Sequence, residues 1–452
     1  MEAKITSKEL IRPSSPTPPH LRTFKLSLLD HLIPAPYAPM ILFYPPDCGP
    51  HPDKPLRARL DLLKISLSQN LTRFYPLAGK IREDLFIDCD DRGVFYVEAN
   101  VNVALSQFLA QPDPVLLQRF LPCELVPRKS SEETHTANIQ VNVFECGGIA
   151  IGICISHKIL DGAGLSGFLK EWAVATQGGC GSVAAPRLVA ATDLFPADDL
   201  WLRDSSLMMW GSVFKVGKSV TKRFVFDGPA IEALKGRGTG QNVKNPTRVE
   251  AVSGFLWKCL VAVSQRKNNG LGRPSFLTHL VNFRNRMNPP VLELSLGNLL
   301  WIASTKLKTV DSDQSDTLPT LVSELREAIS RIDGEFVSRL KWDKDLINGS
   351  LKEISDRMGA KGGVDYFGFS SWCKLGYYDV DFGWGKPVWV SSIGSGGSVF
   401  MNLVILADTR CGDGIEAWVT LDEQDMALLK VDPEIRSITS LDPNPFVVGN
   451  KP

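Results

Sequence analysis

Along the chain, hydrophobic and polar positions alternate with a few clear periods. In 57-RARLDLLKISLSQNLTRF-74, Leu60, Leu63, Leu67, Leu71 and Phe74 recur at spacings of three and four, the apolar stripe of an amphipathic helix. Pro76 cannot continue it. Two short strands are expected at 85–89 and 94–98, with Asp-Asp-Arg-Gly between them as a hairpin signal. In 137-ANIQVNVFEC-146 apolar and polar residues alternate, whereas 149-IAIGICI-155 is almost continuously apolar and fits a central strand after a Gly147-Gly148 turn. Helical spacing returns at Leu165, Phe168, Leu169 and Trp172.

From 177 to 205 no period is sustained and Gly, Ala, Pro and Asp dominate, the composition of an interdomain crossover. Beyond it the pattern predicts a strand at 220–227, helices at 229–235 and 247–264, and strands at 276–283 and 298–305. Two further helices are expected within 318–358, then strands at 364–371, 387–392, 399–407 and 414–421. Strands and helices mixed without regular alternation argue for an α+β or mixed-sheet α/β fold. At 452 residues, two domains are the first expectation.

The nine residues 156-SHKILDGAG-164 leave the most apolar strand and carry the most suggestive chemistry. An imidazole presented at a strand exit is a natural general base near neutral pH. Asp161 lies four residues on, and it either orients His157, as in a triad, or turns away to hold the loop. Spacing alone does not choose, and a lone HxxxD reads more readily as a structural histidine beside a helix start. A second distinctive stretch, 370-SSWCKLGYYDVDFGWGKP-387, sets Asp381 and Trp384 in a glycine-hinged turn. There Asp381 reads as an arginine's partner, with Arg284 and Arg286 as candidates.

Other constellations are incomplete. The segment 164-GLSGF-168 lacks the second glycine of a nucleophile elbow, and 394-GSGGS-398 lacks the lysine of a phosphate loop. Asp379 and Asp381 have no His or Cys cluster beside them, and no HExxH occurs, so no metal is expected. Fifty basic and fifty acidic residues cancel, which removes any global field toward nucleic acid or anionic lipid. Nine scattered cysteines without CxxC, a charged beginning and no apolar segment of about 20 residues point to reduced thiols in a cytoplasmic protein off the membrane. On that ground the sequons at Asn70 and Asn348 are expected to be unmodified.

His157-Lys-Ile-Leu-Asp161, followed some 220 residues later by Asp381-Phe-Gly-Trp-Gly385, resembles the plant BAHD acyltransferase family. The resemblance runs through 74-FYPLAGKI-81, 247-TRVEAVSGFLW-257, 282-NFRNRMNPP-290 and Gly297-Asn298, and so spans the chain. It implies two mixed-sheet domains, each similar to chloramphenicol acetyltransferase, with a solvent channel between them. The implied boundaries are 1–200 for the first domain, 201–215 for the crossover loop and 216–452 for the second. A returning segment at about 379–419, containing the DFGWG turn, is expected to pack on the first domain.

The resemblance further implies acyl transfer from an acyl-coenzyme A co-substrate to an alcohol, with no covalent intermediate and no permanently bound cofactor. His157 becomes the base, Asp161 the residue that holds its loop, and Asp381 a structural partner of Arg284 or Arg286. Trp384 is a candidate wall or oxyanion donor. Thr247, Ser253, Ser370, Ser371, Trp372 and Gly385 are candidate coenzyme A contacts, with Lys258 or Lys244 for its phosphates. The N-terminal 9-ELIRPSSPTPPHLRTFKLSLLDHL-32 and residues 371–387 are similar to the branch that acetylates alkaloids and terpenoid alcohols, which makes acetyl-coenzyme A the first donor. A monomer acting on small molecules is expected. The alternatives are an N-acyltransferase, a user of another acyl group, and a non-catalytic member that binds a small molecule or a partner.

Overall fold

The computed structural model describes residues 1–34, 37–46, 55–123, 135–179, 188–197, 199–291, 294–306, 317–359, 363–392 and 399–446. The glycine-rich 394–398 stretch, Cys48 and Cys180 lie outside them, as do residues 180–187 and 198 of the expected crossover. The chain divides into two units. The first comprises Met1–Asp204, Val291–Leu299 and Leu375–Ile393; the second comprises Ser205–Pro290, Leu300–Lys374 and Gly394–Pro452.

In the first unit, β1 (Ala3–Ile11), β2 (Tyr37–Tyr44), β3 (Val94–Val101), β4 (Ala137–Phe144) and β5 (Ile149–Ser156) join Trp389–Ser391 in a six-stranded sheet. The order is β1-β3-β4-β5-β2 and then Trp389–Ser391, with only β3 and β4 parallel. β5 is buried along its whole length between β4 and β2, which explains its unbroken apolar run. Two helices of this unit, α1 (Leu56–Arg73) and α2 (Gly162–Thr176), pack against each other. Leu60, Leu63, Leu67 and Leu71 of α1 are buried, as are Leu165, Phe168, Leu169 and Trp172 of α2. Trp172 Nε1 donates to Leu63 O at 3.1 Å and Asn70 Nδ2 to Phe168 O at 3.2 Å, tying the helices together. The Asn70 amide of the first sequon is therefore packed away from solvent.

In the second unit, β6 (Ser219–Phe226), β7 (Ser275–Asn282), β8 (Leu300–Ser304), β9 (Asp365–Ser371), β10 (Leu403–Asp408) and β11 (Ile415–Asp422) form a mixed sheet. Its order is β8-β7-β9-β10-β11-β6, closed by Ser440–Leu441. Helices α3 (Arg248–Lys267), α4 (Leu318–Ser330) and α5 (Lys344–Met358) belong to this unit. α3 starts from a reciprocal cap: Thr247 N donates to Glu250 Oε2 at 2.8 Å, and Glu250 N to Thr247 Oγ1 at 3.2 Å. Phe255, Leu256 and Trp257 of α3 pack with Leu321, Val322 and Leu325 of α4 over Leu277, Phe367 and Phe369 of the sheet.

Several expectations are corrected. The hairpin over 85–98 does not form, because Phe86–Asp88 pairs with Thr23–Lys25 and Lys80–Arg82 while β3 pairs with β1 and β4. The residues expected as a crossover loop at 201–215 are helical over Trp201–Val213. The returning segment is Leu375–Ile393, shorter than 379–419, because β10 and β11 hydrogen-bond to each other and to β9 and β6 of the second sheet. A second return, Val291–Leu299, also belongs to the first unit; its Ser295–Leu296 pairs in parallel with Val189–Ala190.

Candidate active site

β5 ends at Ser156, and the chain turns through His157–Leu160 into α2. Lys158, Ile159, Leu160 and Asp161 are buried, while His157 alone of this turn is half-exposed. Asp161 is the N-cap of α2: its Oδ1 accepts from Gly164 N at 2.9 Å, and its Oδ2 accepts from Leu299 N at 3.0 Å. One carboxylate thus fixes the start of the helix and the second return at once. Tyr377, from the other return, donates its hydroxyl to Gly162 O at 2.7 Å.

The imidazole of His157 meets a residue that sequence reasoning quoted without a role. His157 Nδ1 lies 3.1 Å from Asn298 Oδ1, and Asn298 Nδ2 donates to the His157 carbonyl at 2.8 Å. Asn298 is in turn held by Asp30, which the quoted 9–32 stretch contains without assigning it a role: Asp30 Oδ1 accepts from Asn298 N at 2.7 Å and from Asn298 Nδ2 at 2.8 Å. Burial pushes the Asp30 carboxyl above the ordinary aspartate value, although the donors from Ser27 and Asn298 pull the other way. Lys158 points its ammonium into the same interior, where burial pushes its pKa down against the carboxylates of Asp84 and Asp30.

The DFGWG turn lies in the first unit. Asp381 Oδ1 accepts from Gly383 N at 2.8 Å and Gly385 N at 3.0 Å, and both glycines have left-handed φ, +99° and +105°. Glycine is required at those two positions for the backbone to fold over the carboxylate. Trp384, offered as a wall or oxyanion donor, is buried and stacked on Phe382 with ring centroids 5.7 Å apart; Phe382 also meets Trp172 and Tyr44 edge-on. Arg284 and Arg286 belong to the second unit. There Arg284 donates to Asn282 Oδ1 at 3.2 Å, and Arg286 donates to the carbonyls of Ile329, at 2.7 Å, and Ile332.

The expected coenzyme A contacts fall in both units. Thr247, Ser253, Ser370, Ser371 and Trp372 are in the second unit and Gly385 in the first. Thr247 is engaged in the α3 cap, and Ser253 is wholly enclosed on the inner face of α3, so Ser253 is corrected from a contact to a core residue. Ser370, Ser371 and Trp372 stay half-exposed at the end of β9. Lys258 Nζ is held by both carboxylate oxygens of Glu434 at 2.9 Å, whereas Lys244 is exposed. Among the described residues there is no group of three or more His, Cys, Asp or Glu able to hold a metal, and no helix long and apolar enough to cross a membrane.

Residues 1–436 match the profile of the transferase family. The chain is 40% identical over 457 residues to epi-neemfruitin B 7-O-acetyltransferase of Melia azedarach, covering 99% of this chain and all of that one. It is 41% identical over 463 residues to limonoid 7-O-acetyltransferase of Citrus sinensis, with 99% and 100% covered. The crystal structure of vinorine synthase superposes with a TM-score of 0.81 at 33% identity, over 98% of this chain and all of that one.

Proposed function

The chain belongs to the transferase family, the BAHD acyltransferases of plants, and on that premise we propose that it is an acyl-coenzyme A dependent O-acetyltransferase acting on a polycyclic plant alcohol. The observation that carries the proposal is the half-exposed imidazole of His157 on an otherwise buried turn, anchored through Nδ1 so that Nε2 is free. In a ternary complex, Nε2 takes the proton of the acceptor hydroxyl as its oxygen attacks the thioester carbonyl. The tetrahedral intermediate collapses by breaking the carbon–sulfur bond, and the proton passes from the imidazolium to the departing thiolate. No acyl group rests on the protein. Such proton transfer contributes about 10²–10⁴ in rate, and positioning and oxyanion stabilisation supply the remainder.

Asp161 serves as scaffold in this scheme, because its two oxygens already bind backbone N–H groups. Trp384 serves by packing the aromatic corner beneath the DFGWG turn. The relatives' names, a limonoid acetyltransferase among them, support acetyl as the acyl group and a ring hydroxyl of a terpenoid or alkaloid as acceptor. The test is thiol release from acetyl-coenzyme A with a panel of hydroxylated triterpenoids and indole alkaloids. Acceptor-dependent release with a product heavier by one acetyl group is expected. Coenzyme A binding without turnover on any acceptor contradicts the reading and favours a binding protein.

A further inference from the structure

We propose that Asp30 and Asn298 form a positioning relay for His157, in which the Asp30 carboxylate orients the Asn298 amide and that amide holds the imidazole proton on Nδ1. The proposal rests on the reading of His157 as the base. It adds two residues, 268 positions apart in sequence and both buried, that act through the imidazole.

An asparagine side chain can face either way, and only its partners decide which end is oxygen. Here the Nδ2 end lies 2.8 Å from Asp30 Oδ1 and 2.8 Å from the His157 carbonyl, two groups that accept. Both amide hydrogens therefore have acceptors, and Oδ1 is the atom that faces His157 Nδ1 at 3.1 Å. A carbonyl oxygen only accepts, so Nδ1 must carry the hydrogen. In a neutral imidazole that leaves the lone pair on Nε2, which is the form a general base needs. Asn298 thus grips His157 twice, at the ring and at its own backbone carbonyl.

Asp30 keeps the amide from turning over. Its Oδ1 also takes Asn298 N at 2.7 Å, and its Oδ2 takes Ser27 N at 2.7 Å, while Asp30 N donates to Ser27 Oγ at 3.1 Å. Ser27, Asp30 and Asn298 are all essentially inaccessible to solvent, so water is not available to substitute for a missing partner. Gly297 brings the segment in: its N–H bonds Ile159 O at 2.6 Å, and a Cβ there would lie 3.2 Å from both Asp30 oxygens.

The test reads the tautomer directly. With ¹⁵N-histidine-labelled protein, the His157 ring is expected to show a protonated Nδ1 and a bare Nε2 at a pH where it is neutral. In Asn298→Ala and in Asp30→Asn the ring should populate both tautomers. For the same variants kcat should fall about 10–100-fold with KM for acetyl-coenzyme A unchanged. If Asp30→Asn does not fold, Asn298→Ala and Asn298→Ser carry the test. A wild-type ring protonated on Nε2, or an Asn298→Ala protein that keeps the Nδ1 proton and wild-type kcat, overturns the relay. A fully active His157→Ala would sink the base itself, an outcome separable from failure of the relay because the tautomer is read independently of turnover.

Discussion

Replacing Asp161 by alanine separates a scaffold from a chemical participant. The carboxylate caps α2 through Gly164 N and holds Leu299 N, and both Asp161 and Leu299 are buried. Loss of an N-cap costs about 0.5–2 kcal/mol. Leaving a buried N–H without its acceptor costs about 1–3 kcal/mol. Together these reach about 1.5–5 kcal/mol, a large part of the roughly 5–15 kcal/mol that holds a domain folded. At about 2–4 °C per kcal/mol for a unit of this size, the melting transition should drop by roughly 3–20 °C. Asp161→Asn keeps one acceptor oxygen and should lose less. The assay is thermal unfolding followed by circular dichroism, with thiol release measured well below the transition. An Asp161→Ala protein that melts like the wild type yet has lost all turnover would refute the scaffold argument and make Asp161 an actor in the chemistry.

Other predictions follow from equally local contacts. Burial pushes the Glu250 carboxyl up, but the Arg326 guanidinium and Thr247 outweigh it and hold it below the ordinary glutamate value, so the folded state favours the ionised form. That stabilisation is complete above about pH 4.3 and is lost as the pH falls through the lowered value, so the deficit of Arg326→Ala in urea unfolding should shrink in acid; a deficit constant with pH contradicts this. Gly297→Ala puts a Cβ 2.5 Å from Ala191 Cβ at a φ of +92°, and should cost at least about 1–2 kcal/mol and lower kcat by displacing Asn298, checked by melting and thiol release. Trp384→Phe should lose about 1–2 kcal/mol of packing and keep turnover, because its buried Nε1 has no acceptor to lose; a hundredfold loss of kcat at unchanged stability would assign its N–H to the reaction.

The elements that position His157 were legible because their burial is uniform. β5 is enclosed from end to end and reads as one apolar run, and α1 and α2 each expose one face and read at period three to four. The hairpin misread over 85–98 shows where local signals mislead, since Asp-Asp-Arg-Gly is good turn chemistry whichever strands flank it. What spacing could not reach is pairing between distant segments. Nothing near Asp30 announces that it binds Asn298, and nothing near Asn298 announces that it binds His157. The available signal was weak: a Gly-Asn pair before a strand, with the glycine at positive φ and the asparagine wholly buried, marks a polar group that must have a buried partner. The question left open at the start, whether Asp161 orients the imidazole or holds the loop, turns on the same long-range contacts.

The central claim is that His157 is the base of an acyl transfer, and the most direct measurement compares thiol release from acetyl-coenzyme A by the wild type and by His157→Ala with the same accepted alcohol. With both proteins folded and both binding coenzyme A, the variant should be slower by about 10²–10⁴. A His157→Ala protein that acetylates at the wild-type rate would contradict the account.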